Sequence, residues 1–201
     1  MQRYAARFRD STLLSRRIGG FSLMEVLLAM LMGSVMIIAS MQLYPTLRRQ
    51  SQNTLRHFWL EQRFHQALFA LEKDLRRAGF CASTCYGNVV TLGQFPGEPV
   101  NSCAIVAYDF NRRGGAPQNR ETFGYRLRAG AWETQVSIAD CSGSGWERRL
   151  DPQEVTITRF EVIARRNTAG PALYEVHLAG HWFRRPDIAR HTVRWIAGHN
   201  P

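Results

Sequence analysis

The sequence predicts an α+β fold, one long N-terminal helix followed by an antiparallel β-sheet. Three observations carry that prediction. Between Leu23 and Tyr44 the residues are predominantly apolar and Glu25 is the one charge. Apolar side chains then recur every three or four positions from Leu60 to Ala78. From Phe80 onward the pattern changes to short β-branched and aromatic runs separated by glycine and proline, with no internal repeat. A chain of 201 residues with 45% hydrophobic and 11% aromatic residues can build one compact domain with appendages.

The first element is a basic head before an apolar run. Arg3, Arg7, Arg9, Arg16 and Arg17 against Asp10 place a net +4 of the chain's +10 in the first twenty residues. Such a segment is retained on the cytoplasmic side of a membrane. The 22 residues from Leu23 to Tyr44 would extend about 33 Å as a helix, the length of a bilayer span and longer than the apolar region of a secretory signal. No convincing Ala-x-Ala cleavage site follows. Glu25 is the anomaly: a carboxylate near a bilayer centre costs roughly 2.5 to 3.5 kcal/mol on insertion scales, so it calls for a compensating charge.

The helix is expected to continue beyond the bilayer. Leu60, Phe64, Leu68, Leu71, Leu75 and Ala78 form one stripe fit to pack on a sheet of the same chain. Lys73, Arg76 and Arg77 suit the negative end of the helix dipole, and Gly79 suits the position after the last turn. Pro45 and the Gly33-Ser34 pair are candidate bends. Expected strands are "NVVTL" (88 to 92), "CAIVAYDF" (103 to 110), "ETFGYRLR" (121 to 128), "VTITRFEVIAR" (155 to 165), "ALYEVHLAGHW" (172 to 182) and "RHTVRWIAG" (190 to 198). All four cysteines, Cys81, Cys85, Cys103 and Cys141, fall in this part. An even count outside the basic and apolar segments predicts two disulfides in an oxidising compartment, with three pairings open. Cys81 with Cys85 and Cys103 with Cys141 is the favoured pairing, and a zinc site is the competing use.

Gly19-Gly20-Phe21-Ser22-Leu23-Met24-Glu25, followed by a spanning helix, resembles the leader of type IV prepilins and pseudopilins. The resemblance implies that a prepilin peptidase cuts after Gly20 and N-methylates Phe21, and that the apolar helix stays on the protein. The new amine at Phe21 would then lie one turn from Glu25. It would compensate the acid in its own chain or in a neighbour, so that Glu25 sets the axial register of packed helices.

In order and character, "RRAGFCASTC", "CAIVAYDFN", "FGYRL" and "DCSGSGW" are similar to minor pseudopilins, and more loosely to the J-type pseudopilins of type II secretion and W-type minor pilins. This implies a pilin-like fold in four parts: a cleaved basic leader (1–20), a transmembrane helix (21–45), a periplasmic amphipathic helix (46–79) and a disulfide-containing head (80–201). The implied location is the bacterial inner membrane in a single pass, N-terminus in the cytoplasm, with incorporation into a pilus. The implied partners are prepilin peptidase, other minor and major pilins or pseudopilins, the inner-membrane assembly platform and membrane lipid. The implied role is to prime or cap a type IV pilus or a type II secretion pseudopilus.

Other constellations are weaker. Asp109-x-Asn111-x-Arg113-Gly114 resembles the start of a calcium loop, but an arginine occupies a ligand position, so a turn is expected. His177 and His181 would share one face of a strand, a pattern commoner in structural histidines than in metal ligands. Gly143-Ser144-Gly145 lacks the frame of a nucleophile elbow, and His57 and His65 fall on the expected helix. Neither catalysis nor a metal or other cofactor is expected. The alternative function is DNA binding at the tip of an uptake pilus, on the arginine doublets Arg112-Arg113, Arg148-Arg149, Arg165-Arg166 and Arg184-Arg185, with Trp146 and Trp182-Phe183 as stacking groups.

Overall fold

The structure is a computed structural model of the chain, and it describes residues 20–85, 87–116, 118, 120–165 and 171–200. Residues 1–19, which hold the basic head and Gly19, lie outside the described residues, as do Arg166 and Gly170. The chain divides into two units, Met1–Arg49 and Gln50–Pro201.

Helix α1, Leu23–Arg77, contributes to both units. In the first unit it is long and apolar enough to cross a membrane, and its side chains are exposed. Its hydroxyls are not stranded: Ser34 Oγ donates to the Met30 carbonyl at 2.6 Å and Ser40 Oγ to the Met36 carbonyl at 2.8 Å. Bonds of this kind let serine sit in an apolar helix without an unsatisfied donor. Helical backbone continues through Gly33-Ser34 and Pro45.

In the second unit, β1 (Val90–Gly93), β2 (Cys103–Ala107), β3 (Thr122–Arg128), β4 (Ala131–Val136) and β5 (Glu147–Leu150) form an antiparallel meander in that order. A second antiparallel sheet holds β6 (Val155–Arg165), β7 (Leu173–Trp182) and β8 (Arg185–Ala197). The fold is α+β and pilin-like as expected, but with two sheets where the strand pattern suggested one. β4 and β5 were not expected. The β3–β4 hairpin turns on Ala129 (φ 48) and Gly130 (φ 76), both left-handed, without the usual Asn-Gly or Asp-Gly signal. β5 reads Glu-Arg-Arg-Leu, the charged composition of an exposed edge. β8 starts at Arg185, five residues before the apolar pattern, because a two-residue turn brings it directly back along β7.

The sheets are joined at β6, whose Ile157 and Val162 amides donate to the Gly130 and Asn101 carbonyls at 2.8 and 3.0 Å. The stripe of α1 fills the space against both sheets: Leu60, Phe64, Leu68, Leu71, Leu75 and Ala78 are buried with Val106, Leu127 and Trp132 of the first sheet and Phe160, Val176, Leu178 and Ile196 of the second. Each leucine, isoleucine, valine or phenylalanine among them contributes about 1.5 to 3 kcal/mol of burial free energy. One acid lies on the same face. Asp74 is only 2% exposed and accepts from the Tyr108 hydroxyl at 3.1 Å and the Tyr125 hydroxyl at 2.5 Å, with Lys73 Nζ 3.3 Å away. Burial first, then the Asp74 charge, push the Tyr108 phenol up to about 12 and raise Tyr125 further, so both stay protonated donors.

The other face of the first sheet carries a smaller core of Cys103, Ile105 and Ile138, with Trp146 packed on it. Arg126 is wholly buried there. Its guanidinium bonds Glu133 at 2.8 Å and the Cys141 and Gly143 carbonyls at 2.7 and 3.1 Å, and lies 4.2 Å from the Trp146 ring centroid. The last turn of α1 is closed by Gly79 (φ 74) and by the His199 amide, which donates to the Arg76 carbonyl at 3.1 Å.

Candidate functional site

Gly20, Phe21 and Ser22 precede the first helical residue, Leu23. The Ser22 carbonyl accepts the amides of Glu25 and Val26 at 2.9 and 3.2 Å, which makes Ser22 the residue that opens α1 and Glu25 a first-turn acid. Ser-x-x-Glu is the capping-box pattern, and an acid in the first turn is favoured by the helix dipole. The Gly20–Phe21 bond is therefore in non-helical, exposed backbone: Phe21 is 80% exposed, and among the described residues no heavy atom beyond the chain neighbours lies within 4 Å of where a Gly20 Cβ would be. Chemically, this is an accessible peptide bond one turn ahead of a carboxylate. Side chains from Leu23 to Arg49 are exposed except for half-buried Gly33, leaving an apolar helix surface around Glu25.

Cys81 is bonded to Cys85 and Cys103 to Cys141, with Cα separations of 6.0 and 6.2 Å. Cys81, Cys85 and Asp109 lie close together, but both sulfurs are in the disulfide. The Asp109 carboxylate accepts backbone amides of Ala82 at 3.0 Å, Arg113 at 2.9 Å and Gly114 at 3.1 Å, and Asn111 Oδ1 accepts the Arg113 amide at 2.9 Å. The segment 109–114 is a turn built around its own acid. These amides, Ala82 foremost, hold the Asp109 carboxyl below the usual carboxylate range against the opposing effect of burial.

His177 and His181 do flank Ala179 on one face of β7, without converging on a common point. His177 Nε2 is 2.9 Å from Glu175 Oε1 and its ring stacks on His191, whereas His181 Nδ1 is 3.1 Å from the Trp182 carbonyl. His65 Nδ1 lies 2.7 Å from Arg194 and His57 is exposed, both on α1. Ser144 is exposed in the loop that Arg126 anchors.

Four of the eight doublet arginines face acids of the same chain. Arg148 faces Glu133 at 3.8 Å, Arg149 faces Glu147 at 3.1 Å, Arg165 faces Glu175 at 3.0 Å and Arg185 faces Asp187 at 2.8 Å. Trp146 is covered by Arg126, and Trp182 donates its indole N–H to the Arg56 carbonyl at 3.0 Å. Arg112, Arg113, Arg184 and Phe183 are exposed. Sequence reasoning assigned the aromatics to stacking because side-chain partners 126 residues apart carry no linear signal.

A family model described as prepilin peptidase-dependent protein B matches residues 53–198. The chain is similar to prepilin peptidase-dependent protein B of Escherichia coli (strain K12), 32% identical over 156 residues that cover 75% of this chain and 80% of that protein. It is also similar to an uncharacterized protein of Haemophilus influenzae, 24% identical over 189 residues that cover 69% of this chain and 78% of that one. No solved structure matches. The family match covers the half of α1 that packs on the sheets and both sheets, the part that carries "RRAGFCASTC" and "DCSGSGW". The chain belongs to the prepilin peptidase-dependent protein B family.

Proposed function

We propose that this chain is a minor pseudopilin, cut after Gly20 and N-methylated at Phe21, that co-assembles with other pilin-like subunits to prime or cap a type IV pilus or a type II secretion pseudopilus. The observation that carries the reading is the exposed Gly20–Phe21 bond, one turn before the single carboxylate of an exposed apolar helix, in a member of a family named for dependence on prepilin peptidase. Cleavage turns Phe21 into an ammonium group. In a bundle of such helices the ammonium of one chain meets Glu25 of its own chain or a neighbour, and a slipped register strands both charges in hydrocarbon. The reading makes the chain an inner-membrane protein with a cytoplasmic leader and a periplasmic head. It acts by assembly and not by catalysis, and it meets prepilin peptidase, sibling pilins, the assembly platform and lipid.

Terminal sequencing of the mature chain tests the processing step. The expected first residue is N-methylated Phe21, and any other start overturns it. Glu25→Leu should leave the chain in the membrane while lowering its co-purification with sibling subunits by at least about tenfold, the equivalent of about 1.4 kcal/mol. Undiminished co-purification refutes the register argument.

A further inference from the structure

The two disulfides differ in how a reagent can reach them. Cys103 is wholly buried in the small core of the first sheet, and Cys141 Sγ lies 3.1 Å from where a Gly93 Cβ would be, so strand β1 covers that bridge. Cys85 is exposed and Cys81 half-buried, and both line an open cleft of about 400 Å³ whose other walls include Gly79, Gly114 and Gly115. Exchange with an outside thiol needs a thiolate in contact with one sulfur, so access decides which bridge reacts.

The accessible bridge also fastens two loops together. The Ala82 amide donates to Asp109 Oδ2 at 3.0 Å, the Gly115 amide donates to the Thr84 carbonyl at 2.7 Å, and the Asp109 amide donates to the Phe80 carbonyl at 2.9 Å. Gly114 is left-handed (φ 70), and a Cβ there would run into Ser83 Oγ, so the bridged loop rests directly on the turn. With only three residues between the cysteines, the covalent link holds Ala82 and Thr84 where these bonds are made.

We propose that Cys81–Cys85 is a thiol-exchange site, opened by a dithiol while Cys103–Cys141 stays closed, and that opening it unfastens residues 81–85 from the 109–115 turn. The incoming thiolate bonds to the exposed Cys85 Sγ, the Sγ–Sγ bond breaks, and its electron pair stays on Cys81 Sγ, which takes a proton from water. The second thiol of the reagent, as its thiolate, then displaces Cys85, which is protonated in turn. The reagent is oxidised from dithiol to disulfide, and the bridge is reduced to two thiols. The Ser83 carbonyl, 3.0 Å from Cys81 Sγ, is placed to accept the S–H so formed. An Asp109 oxygen within 4.8 Å of both sulfurs disfavours thiolates there, so the opened pair persists as thiols.

The test is reduction of the full chain in detergent by dithiothreitol without denaturant, with new thiols alkylated and located by peptide mass spectrometry. Cys81 and Cys85 should be labelled at least about a hundredfold faster than Cys103 and Cys141, which need the sheet to open first. Hydrogen exchange should then rise at least about tenfold at Ala82 and Gly115, with the amides between β2 and β3 unchanged. Cys81→Ser with Cys85→Ser should show the same raised exchange before any reductant is added. In the single variants, glutathione disulfide should modify Cys85 of Cys81→Ser at least about tenfold faster than Cys81 of Cys85→Ser. Equal labelling of the two bridges, or earlier labelling of Cys103–Cys141, overturns the exchange site. Unchanged exchange at Ala82 and Gly115 once Cys81–Cys85 is open overturns the fastening, and Cys81 reacting as fast as Cys85 overturns the direction of attack. The labelling and exchange measurements use the unaltered chain, so they decide the matter even where a variant misfolds.

Discussion

Removing Asp74 should cost the head more than any single apolar truncation of the exposed helix, and the cost should be shared with Tyr125. The carboxylate is 2% exposed, takes the Tyr125 hydroxyl at 2.5 Å and the Tyr108 hydroxyl at 3.1 Å, and lies 3.3 Å from Lys73. Asp74→Ala strands two phenolic donors in the interior, a loss of about 3 to 5 kcal/mol. Tyr125→Phe removes one bond to a charged acceptor, a loss of about 2 kcal/mol. The two losses overlap, since in the double variant no Tyr125 hydroxyl is left to strand. The double variant should therefore be no less stable than Asp74→Ala alone, with a coupling of at least about 2 kcal/mol out of a total stability of about 5 to 15 kcal/mol. Urea unfolding in detergent, followed by tryptophan fluorescence, measures all four corners of the cycle. Additivity within about 0.5 kcal/mol would show that the acid and the phenol do not act as a unit.

Two further outcomes follow from geometry already described. Replacing both Cys103 and Cys141 by alanine opens a bridge spanning 38 residues and should cost about 4 kcal/mol by chain entropy, against about 2 kcal/mol for the bridge spanning 4 residues between Cys81 and Cys85; equal losses in urea unfolding would refute this ranking. Stability should also fall at both ends of the pH scale: Tyr108, raised from 10.0 to about 12, contributes fully below pH 10 and loses its contribution as pH rises towards 12, while Asp109, held low, contributes above the usual carboxylate range and loses its contribution only as pH falls through its depressed value. Thermal melts of Tyr108→Phe and Asp109→Asn against the parent should show these alkaline and acid differences separately, and parallel curves would refute them.

The α1 stripe was legible because helix periodicity is a local property: all six residues from Leu60 to Ala78 that the pattern selected are in the core. β6 matched its expected bounds because its β-branched and aromatic composition is local, with Val155 and Ile157, then Phe160 and Val162, buried on either side of a bulge. β4 and β5 were hidden because an Ala-Gly turn and a run of charges carry no apolar alternation, and the split into two sheets depends on the distant Asn101 and Gly130 carbonyls. The Gly20-Phe21-Glu25 motif could be read because its residues are neighbours in the chain and need no tertiary contact to be recognised. The buried cluster at Asp74 could not, since its two tyrosine donors lie 34 and 51 residues away in the chain.

Arg126 reaches its loop from beneath, through the carbonyls of Cys141 and Gly143, and these bonds involve no loop side chain. The path of the backbone there is set by Arg126, by the Cys103–Cys141 bridge and by Asp140, whose Oδ1 accepts the Ser142 and Gly143 amides, and exposed Ser144 makes none of these bonds. A head constructed this way can exchange what it displays at position 144 while keeping the loop where it is. Descendants of one scaffold could thus acquire different neighbours by altering the outward side chain alone, with the cationic anchor below held constant.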